Sequence, residues 1–299
     1  MDLKQLEYFV KVAEFGSFSR AATAMHVEQP AVSKQVRLLE VELRQTLLTR
    51  TGRGVIPTAA GRLLLDHGRG ILHQMARVRE ELGRVQGALA GRVAVGMSPS
   101  IARVLAAPLI LDVRERLPQV VLAVSEGMTQ SMQEAVVNGS LDAAFLYNPT
   151  TSPDLISTLL VEEELFLVQK SVRPGAESPR EASIEELARL PLVMPTRPNT
   201  LRLLVETEMA SRGCKPVIAF EVDGVPTILD LVADGAGSTL LSRRAVKTSP
   251  HAGRFTIRRI AGPPVRSRLS LVVSSQRPPT LTQQAVLDII VPPARKLLA

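Results

Sequence analysis

The chain has 299 residues, 45% of them hydrophobic and 22% charged, a formal charge of +7 and a pI near 10.1. That balance excludes a disordered polymer and leaves room for two or three domains with real cores. The lone Cys214 excludes an intramolecular disulfide and a multi-cysteine metal cluster, and no apolar run approaches the roughly 18 residues of a membrane span. The basic excess is uneven: residues 1–92 hold 14 Lys/Arg against 9 Asp/Glu, residues 93–299 hold 22 against 20, so a polyanionic partner belongs with the first third. Met1-Asp2 begins no basic stretch followed by an apolar run, which leads to the expectation of a cytosolic protein without membrane association. The four histidines His26, His67, His73 and His251 lack ligand spacing, so neither metal nor cofactor is expected.

Residues Leu3 to Phe15 place Leu3, Leu6, Phe9, Val10 and Ala13 on one face of a helix that Gly16-Ser17 ends. From Phe18 to Val36 the pattern is helix, short turn, helix. Ser19 stands at an N-cap position, Ala21, Ala22 and Met25 recur at helical spacing, and Pro30 suits a first helical turn. The second helix is expected to bury Val32, Val36, Leu39 and Leu43. Gln29, Ser33, Lys34 and Arg37 then share another face with donors for base edges and phosphates. An ordinary packed hairpin with a solvated polar face remains the alternative for these residues alone.

Two short β-type runs around Gly52-Arg53-Gly54 predict a basic hairpin, with Arg50 and Arg53 on phosphates or in the minor groove. From Thr58, as N-cap, a long helix carries Leu64, Ile71, Met75, Val78, Leu82, Val85 and Leu89 on a heptad seam. Its glycines, Gly61, Gly68, Gly70, Gly83 and Gly87, each weaken a lone helix by about 1 kcal/mol. The seam is therefore expected to pair with a second copy, which predicts an interrupted two-fold-symmetric DNA site. A helix packed on its own domain is the alternative.

Beyond Gly91 strands and helices alternate: strand 92–96, helix 101–116, strand 120–124, helix 130–138 and strand 142–147, a βαβαβ pattern implying a covered parallel sheet. A second set runs through strand 164–168, helix 184–190, strand 192–194, helix 200–212, strand 217–221, helix 227–233 and strand 238–241. Strands 255–260 and 269–274 and helix 281–298 return the chain. Two α/β lobes joined by crossing strands enclose a cleft whose ligands sit near helix N-termini. Ser98 and Ser100 open one helix, Thr129 and Ser131 another, and Thr196, Arg197, Arg202 and Asp223 stand at corresponding places in the second lobe. Glu162-Glu-Glu164 reads as a solvated charge run at a strand start. No Gly-x-Ser-x-Gly elbow, carboxylate pair or phosphate loop appears, so no catalytic residue is assigned. A cytosolic small-molecule-binding protein whose first third only dimerises is the rival reading.

The residues Leu6-Glu-Tyr-Phe9, Gly16-Ser-Phe-Ser-Arg-Ala-Ala22, Gln29-Pro-Ala-Val-Ser33, Leu38-Leu-Glu40 and Thr58-Ala-Ala-Gly61 together resemble the LysR-type transcriptional regulators, along the whole chain. Leu146-Tyr-Asn-Pro149, Glu126-Gly127 and Glu221-Val-Asp223 through Thr239 are most similar to the branch of nitrogen-assimilation control proteins. The resemblance implies a winged helix-turn-helix (1–58), a dimerising linker helix (59–90) and a periplasmic-binding-protein-like effector domain. That domain (91–299) has one lobe of about 91–161 with 266–299 and another of about 162–265. It also implies a ligand-responsive regulator without enzymatic activity, acting as a homodimer or homotetramer. Ser19, Arg20, Gln29, Pro30, Ser33, Lys34, Arg37, Arg50 and Arg53 would meet double-stranded DNA, and Ser98, Ser100, Thr129, Thr196, Arg197 and Asp223 a small, anionic effector. Two departures stand out: Glu28 occupies a position where serine is usual, and Leu48 one where phenylalanine is common.

Overall fold

The computed structural model describes residues 1–52, 54–83, 89–171 and 180–298. Helix α1 (Leu3–Phe15) starts on a reciprocal cap: the Asp2 carboxylate accepts the Gln5 N–H at 2.7 Å and the Gln5 side chain accepts the Asp2 N–H at 3.0 Å. It stops at Gly16, whose φ of 59° is free of side-chain strain only in glycine. Helix α2 (Phe18–Ala24) begins two residues earlier than the sequence pattern suggests. Ser17, not Ser19, has the extended backbone of an N-cap, and its hydroxyl accepts the Arg20 N–H at 3.4 Å. Ser19 therefore lies in the first turn of the helix.

After a turn through His26 at φ 54°, α3 (Gln29–Leu43) packs Val32, Val36 and Leu39 against Leu6, Phe9, Ala21 and Ala22. Leu43, expected on that stripe, is 37% exposed. Leu47 takes the core place instead, because the Glu40 carboxylate accepts the N–H groups of Leu47 and Leu48, at 2.8 and 3.2 Å, and folds the chain back under the helix. Strands β1 (Leu48–Thr51) and β2 (Gly54–Pro57) form the expected antiparallel hairpin, tied to the end of α1 by Val55 N–H donating to Gly16 O at 2.9 Å.

Helix α4 (Ala59–Gly83) opens with the Thr58 hydroxyl accepting the Gly61 N–H at 3.0 Å. Gly61 and Gly70 do not act as the heptad argument supposes. A Cβ on Gly61 would lie 2.0 Å from Leu47 O, and one on Gly70 would lie 1.9 Å from Asn138 O. These positions let α4 approach its own chain on two sides. Ile71 and Val78 of the seam are exposed and Leu64 packs on the head, while Leu89 lies beyond the helix, just before the next strand. Val85 and the Leu82 side chain fall outside the described residues.

The remainder runs β3 (Gly91–Met97), α5 (Pro99–Arg116), β4 (Val120–Glu126), α6 (Thr129–Val137), β5 (Ala143–Tyr147) and β6 (Leu155–Lys170). It continues with α7 (Ile184–Leu187), β7 (Pro191–Met194), α8 (Thr200–Ala210), β8 (Val217–Glu221), α9 (Val225–Asp234) and β9 (Thr239–Ser242). Helix α10 (Arg243–Lys247), β10 (Phe255–Arg258), β11 (Arg266–Ser274) and α11 (Leu281–Leu298) complete it. β3 pairs in parallel with β4 and β5, but β11 joins β5 antiparallel, so the first lobe's sheet is mixed rather than wholly parallel. The cause is β6, a 16-residue strand that crosses between lobes. Its first part pairs with β11, and its last residues pair with β9 and β10. In the second lobe β7 and β8 are parallel, and an isolated parallel bridge from Leu192 to Ser238 extends the layer.

Glu162 to Glu164 lie within β6, not at its start. Glu162 pairs with Arg266 and Arg268 at 3.0 and 2.8 Å, Glu164 with Arg259, and Glu163 with Arg244 at 2.6 Å, the last with a carboxylate only 10% exposed. Helix α11 returns to cover α5 with Val286, Ile290, Ala294 and Leu298 against Leu105 and Leu109.

Candidate nucleic-acid interface and ligand cleft

The head presents its polar groups where the packing of α3 leaves them. Pro30 and Arg37 stand on the outward side, and Gln29 Nε2 donates to Ser33 Oγ across one turn. Among the described residues Lys34 and Arg37 enter no ion pair, so both charges are left for an outside partner. Ser19 and Arg20 lie at the start of α2. Arg50 extends from β1 with its guanidinium 5.4 Å from the centre of the Phe18 ring, a cation–π contact that draws it toward the same end of α2. Arg53 lies outside the described residues. Glu28 is the N-cap residue of α3 and makes no side-chain cap bond, which leaves its carboxylate uncommitted at the helix entrance.

The second site is a cavity of about 210 Å³ between α6 of the first lobe and the α8 entrance of the second, lined by Met128 to Ser131, Glu134 and Pro198 to Thr200. Both helices point their N-termini into it. The α6 N-cap, Met128, offers no side-chain acceptor, so the first N–H groups of α6 remain available to an acceptor on a ligand. The α8 N-cap Asn199 uses its side chain on Leu201 N–H. At the floor, Tyr147 O accepts from Thr129 Oγ1 at 3.3 Å and from Thr200 Oγ1 at 3.1 Å, so one carbonyl joins the two lobes. With their protons spent there, both threonines present lone pairs to the cavity.

The expected cleft residues divide. Thr129 and Ser131 line the cavity; Ser98 and Ser100 do not, and pair with each other at 3.3 Å at the start of α5. Asp223 accepts both the N–H (3.0 Å) and the hydroxyl of Thr196, so these two satisfy one another. Arg197 donates to Glu206 at 2.7 Å, and Arg202, 6% exposed, bonds Glu206, Glu221 and Pro195 O. Burial works against ionisation of Glu206, but the hydrogen bonds of Arg202 and Arg197 outweigh it and hold the carboxyl below its ordinary range. Neither arginine is therefore directed at a ligand. The cavity lining holds Glu134 as its charged residue and no cation, so an anion would be met only by helix N-termini.

Thr200, Gln130 and Glu134 were not singled out by sequence reasoning, although Thr200 beside an Asn N-cap was a legible signal. The Tyr147–Glu163–Arg244 cluster behind the floor was not legible. The Tyr147 hydroxyl donates to Glu163 at 2.6 Å and accepts from Arg244 at 2.6 Å, across 97 residues of sequence. Burial, followed by the Glu163 charge, pushes that hydroxyl far above its usual range and keeps it a donor.

Two family models match the chain: "Bacterial regulatory helix-turn-helix protein, lysR family" over residues 3–62 and "LysR substrate binding domain" over residues 86–292. The chain is 33% identical to the nitrogen assimilation regulatory protein nac of Klebsiella aerogenes over 97% of this chain and 94% of the relative. It is 32% identical to the Escherichia coli protein of that name over the same shares. Among solved structures, a full-length OxyR variant from Pseudomonas aeruginosa superposes with a TM-score of 0.74 at 24% identity, covering 99% of this chain and 95% of that one. CbnR, a LysR family transcriptional regulator, superposes at 0.68 and 23% identity over the whole of both chains.

Proposed function

The chain belongs to the LysR family of DNA-binding transcriptional regulators with a small-molecule effector domain, and from that premise we propose which of its residues do each task. The head is residues 1–58, the linker 59–90 and the sensor 91–299. Gln29, Pro30, Ser33, Lys34 and Arg37 enter a major groove, while Ser19, Arg20, Arg50 and Arg53 hold phosphates. The observation that supports this reading is a face of α3 whose two cations enter no ion pair among the described residues and whose opposite side is spent on the head core. Exposed Ile71 and Val78 on α4 supply an apolar seam for a second copy, in a dimer or a pair of dimers, so the DNA site is an interrupted two-fold-symmetric sequence. The protein works in the cytoplasm as a regulator and not as an enzyme; no helix among the described residues is long and apolar enough to cross a membrane.

The effector occupies the cavity between α6 and α8. It carries an acceptor, such as a carboxylate, at the α6 N-terminus and a donor group facing Thr129, Thr200 and Glu134. This chemistry replaces a simple anion, because no lining cation compensates Glu134.

Replacing Ser33 and Lys34 together by alanine tests the DNA face. Gel-shift titration on two-fold-symmetric DNA at two salt concentrations is expected to show about tenfold weaker binding. The salt slope should change little, because both side chains are placed on base edges rather than on phosphates, with the sedimentation of the free protein unchanged. Unaltered affinity would show that another face reads DNA.

A further inference from the structure

Where α4 meets the first lobe, two guanidinium groups share one acceptor, that of Arg77 buried and that of Arg277 half-buried. Arg77 of α4 is 8% exposed, and Arg277 lies just beyond β11. The Gln74 amide, turned with its oxygen toward the donors, accepts from Arg277 Nε and Arg77 Nη1 at 3.3 Å each, so a single neutral oxygen serves both cations. Arg277 also donates to the last carbonyls of α6, Val137 O at 3.0 Å from Nη1 and Val136 O from Nη2, which leaves one N–H on each of these nitrogens. Arg77 Nη2 donates to Pro278 O at 3.3 Å, and Arg77 Nε is buried with no partner.

The neighbouring carboxylate is already engaged. Asp142 accepts from His73 Nε2 at 2.9 Å, from the Ala94 N–H at 2.7 Å and from Gln283 Nε2. Both arginines, Asp142, Ser274 and Gln283 line a cavity of about 20 Å³ closed by Val93, Ala143, Val273 and Leu287. Desolvation, then the Arg77 charge, pulls the Arg277 guanidinium below its ordinary pKa, and the Asp142 charge offsets only part of this.

We propose that this cavity binds one halide-sized anion, held by Arg77 Nε–H and the facing Arg277 guanidinium, which fastens the linker helix to the sensor. A buried N–H without an acceptor costs free energy comparable to a lost hydrogen bond, and two neighbouring like charges repel, so one anion relieves both defects. The volume is that of about one water-sized particle, which admits chloride or bromide and excludes a larger carboxylate. A water could also enter, but it would leave the excess positive charge in place.

The test uses the full-length protein in sodium chloride and in sodium gluconate at equal ionic strength. Chloride is expected to raise the melting temperature by about 3 °C at a few times its Kd, and to saturate. Arg77→Gln removes the orphaned donor and one charge, and should abolish the difference between the salts. Crystals of the unaltered protein grown in sodium bromide should show an anomalous peak within hydrogen-bonding distance of Arg77 Nε, a readout that does not depend on the variant folding. Equal melting temperatures in both salts, a difference that survives in Arg77→Gln, or a bromide-free cavity would each overturn the proposal.

Discussion

Gly70→Ala separates two opposed accounts of the linker helix. In an unpacked helix the change stabilises, because alanine is favoured over glycine by about 1 kcal/mol. In this fold the added carbon would lie 1.9 Å from Asn138 O, while such contacts essentially never fall below 3.0 Å, so α4 and the lobe must part by at least about 1.1 Å. Forced separation of well-packed elements costs about 1–3 kcal/mol. A shift of that size also takes the His73–Asp142 contact at 2.9 Å and the Arg77–Pro278 contact at 3.3 Å out of hydrogen-bonding range. Those side chains are nearly buried, so their loss costs about another 1–3 kcal/mol. After subtracting the helix gain, the net destabilisation is about 3 kcal/mol. Urea unfolding of the full-length protein, followed by far-ultraviolet circular dichroism, should show an earlier transition than in the unaltered chain. A midpoint that stays or rises would mean that α4 does not rest on the first lobe.

Two further outcomes follow from the head. Glu28→Ser supplies the side-chain cap that α3 lacks and should stabilise the protein by about 1 kcal/mol in the same urea assay. If Glu28 also faces a phosphate at about 6 Å across water, removing its charge contributes about 0.7 kcal/mol, roughly threefold tighter DNA binding at low salt; weaker binding would place a favourable contact on the carboxylate instead. Arg44 ends α3 at φ 52°, a left-handed conformation in which a side chain costs about 1 kcal/mol. Arg44→Gly should raise the thermal midpoint while leaving DNA affinity unchanged, and a lower midpoint would show that the arginine side chain contributes more than its backbone strain costs.

Local periodicity made most of the elements legible. The bounds of α1, β8 and α11 coincide with those expected from apolar spacing and from glycine and proline punctuation. What the pattern missed depended on partners distant in sequence. Leu43 reads as core until Glu40 folds Leu47 beneath the helix. Of the acidic run in β6, Glu162 is exposed as expected, but Glu163 is drawn inward by Arg244, which arrives from about 80 residues away. The helix glycines read as weakness until Leu47 O and Asn138 O press against them. In the cleft, helix openings were visible as hydroxyl-rich segments before apolar runs, but whether a side chain was free was not. Thr196 and Asp223 consume each other, and Arg197 turns to Glu206, because a nearby opposite charge or an unfilled acceptor takes precedence over an empty cavity.

Helix α6 spans the distance between the cleft and the linker helix. Its N-terminus forms one wall of the cleft, and the other end carries the Val136 and Val137 carbonyls that hold Arg277, followed by the Asn138 carbonyl against Gly70. Nine residues of helix span about 13 Å, and a helix this short moves as a unit rather than bending. An effector that pulls on the α6 N-terminus therefore changes the contact made by its opposite end with α4, the element that carries the DNA-reading head. Proximity alone does not establish coupling; that requires two arrangements of the α6–α4 contact with different affinities for effector. The small cavity beside Arg77 favours such a pair of arrangements, because its orphaned donor and crowded charges leave the docked arrangement less than fully satisfied. If the effector and an anion at that cavity both stabilise the docked arrangement, each must tighten the binding of the other by the same factor, and the linker helix is the member through which the exchange passes to DNA.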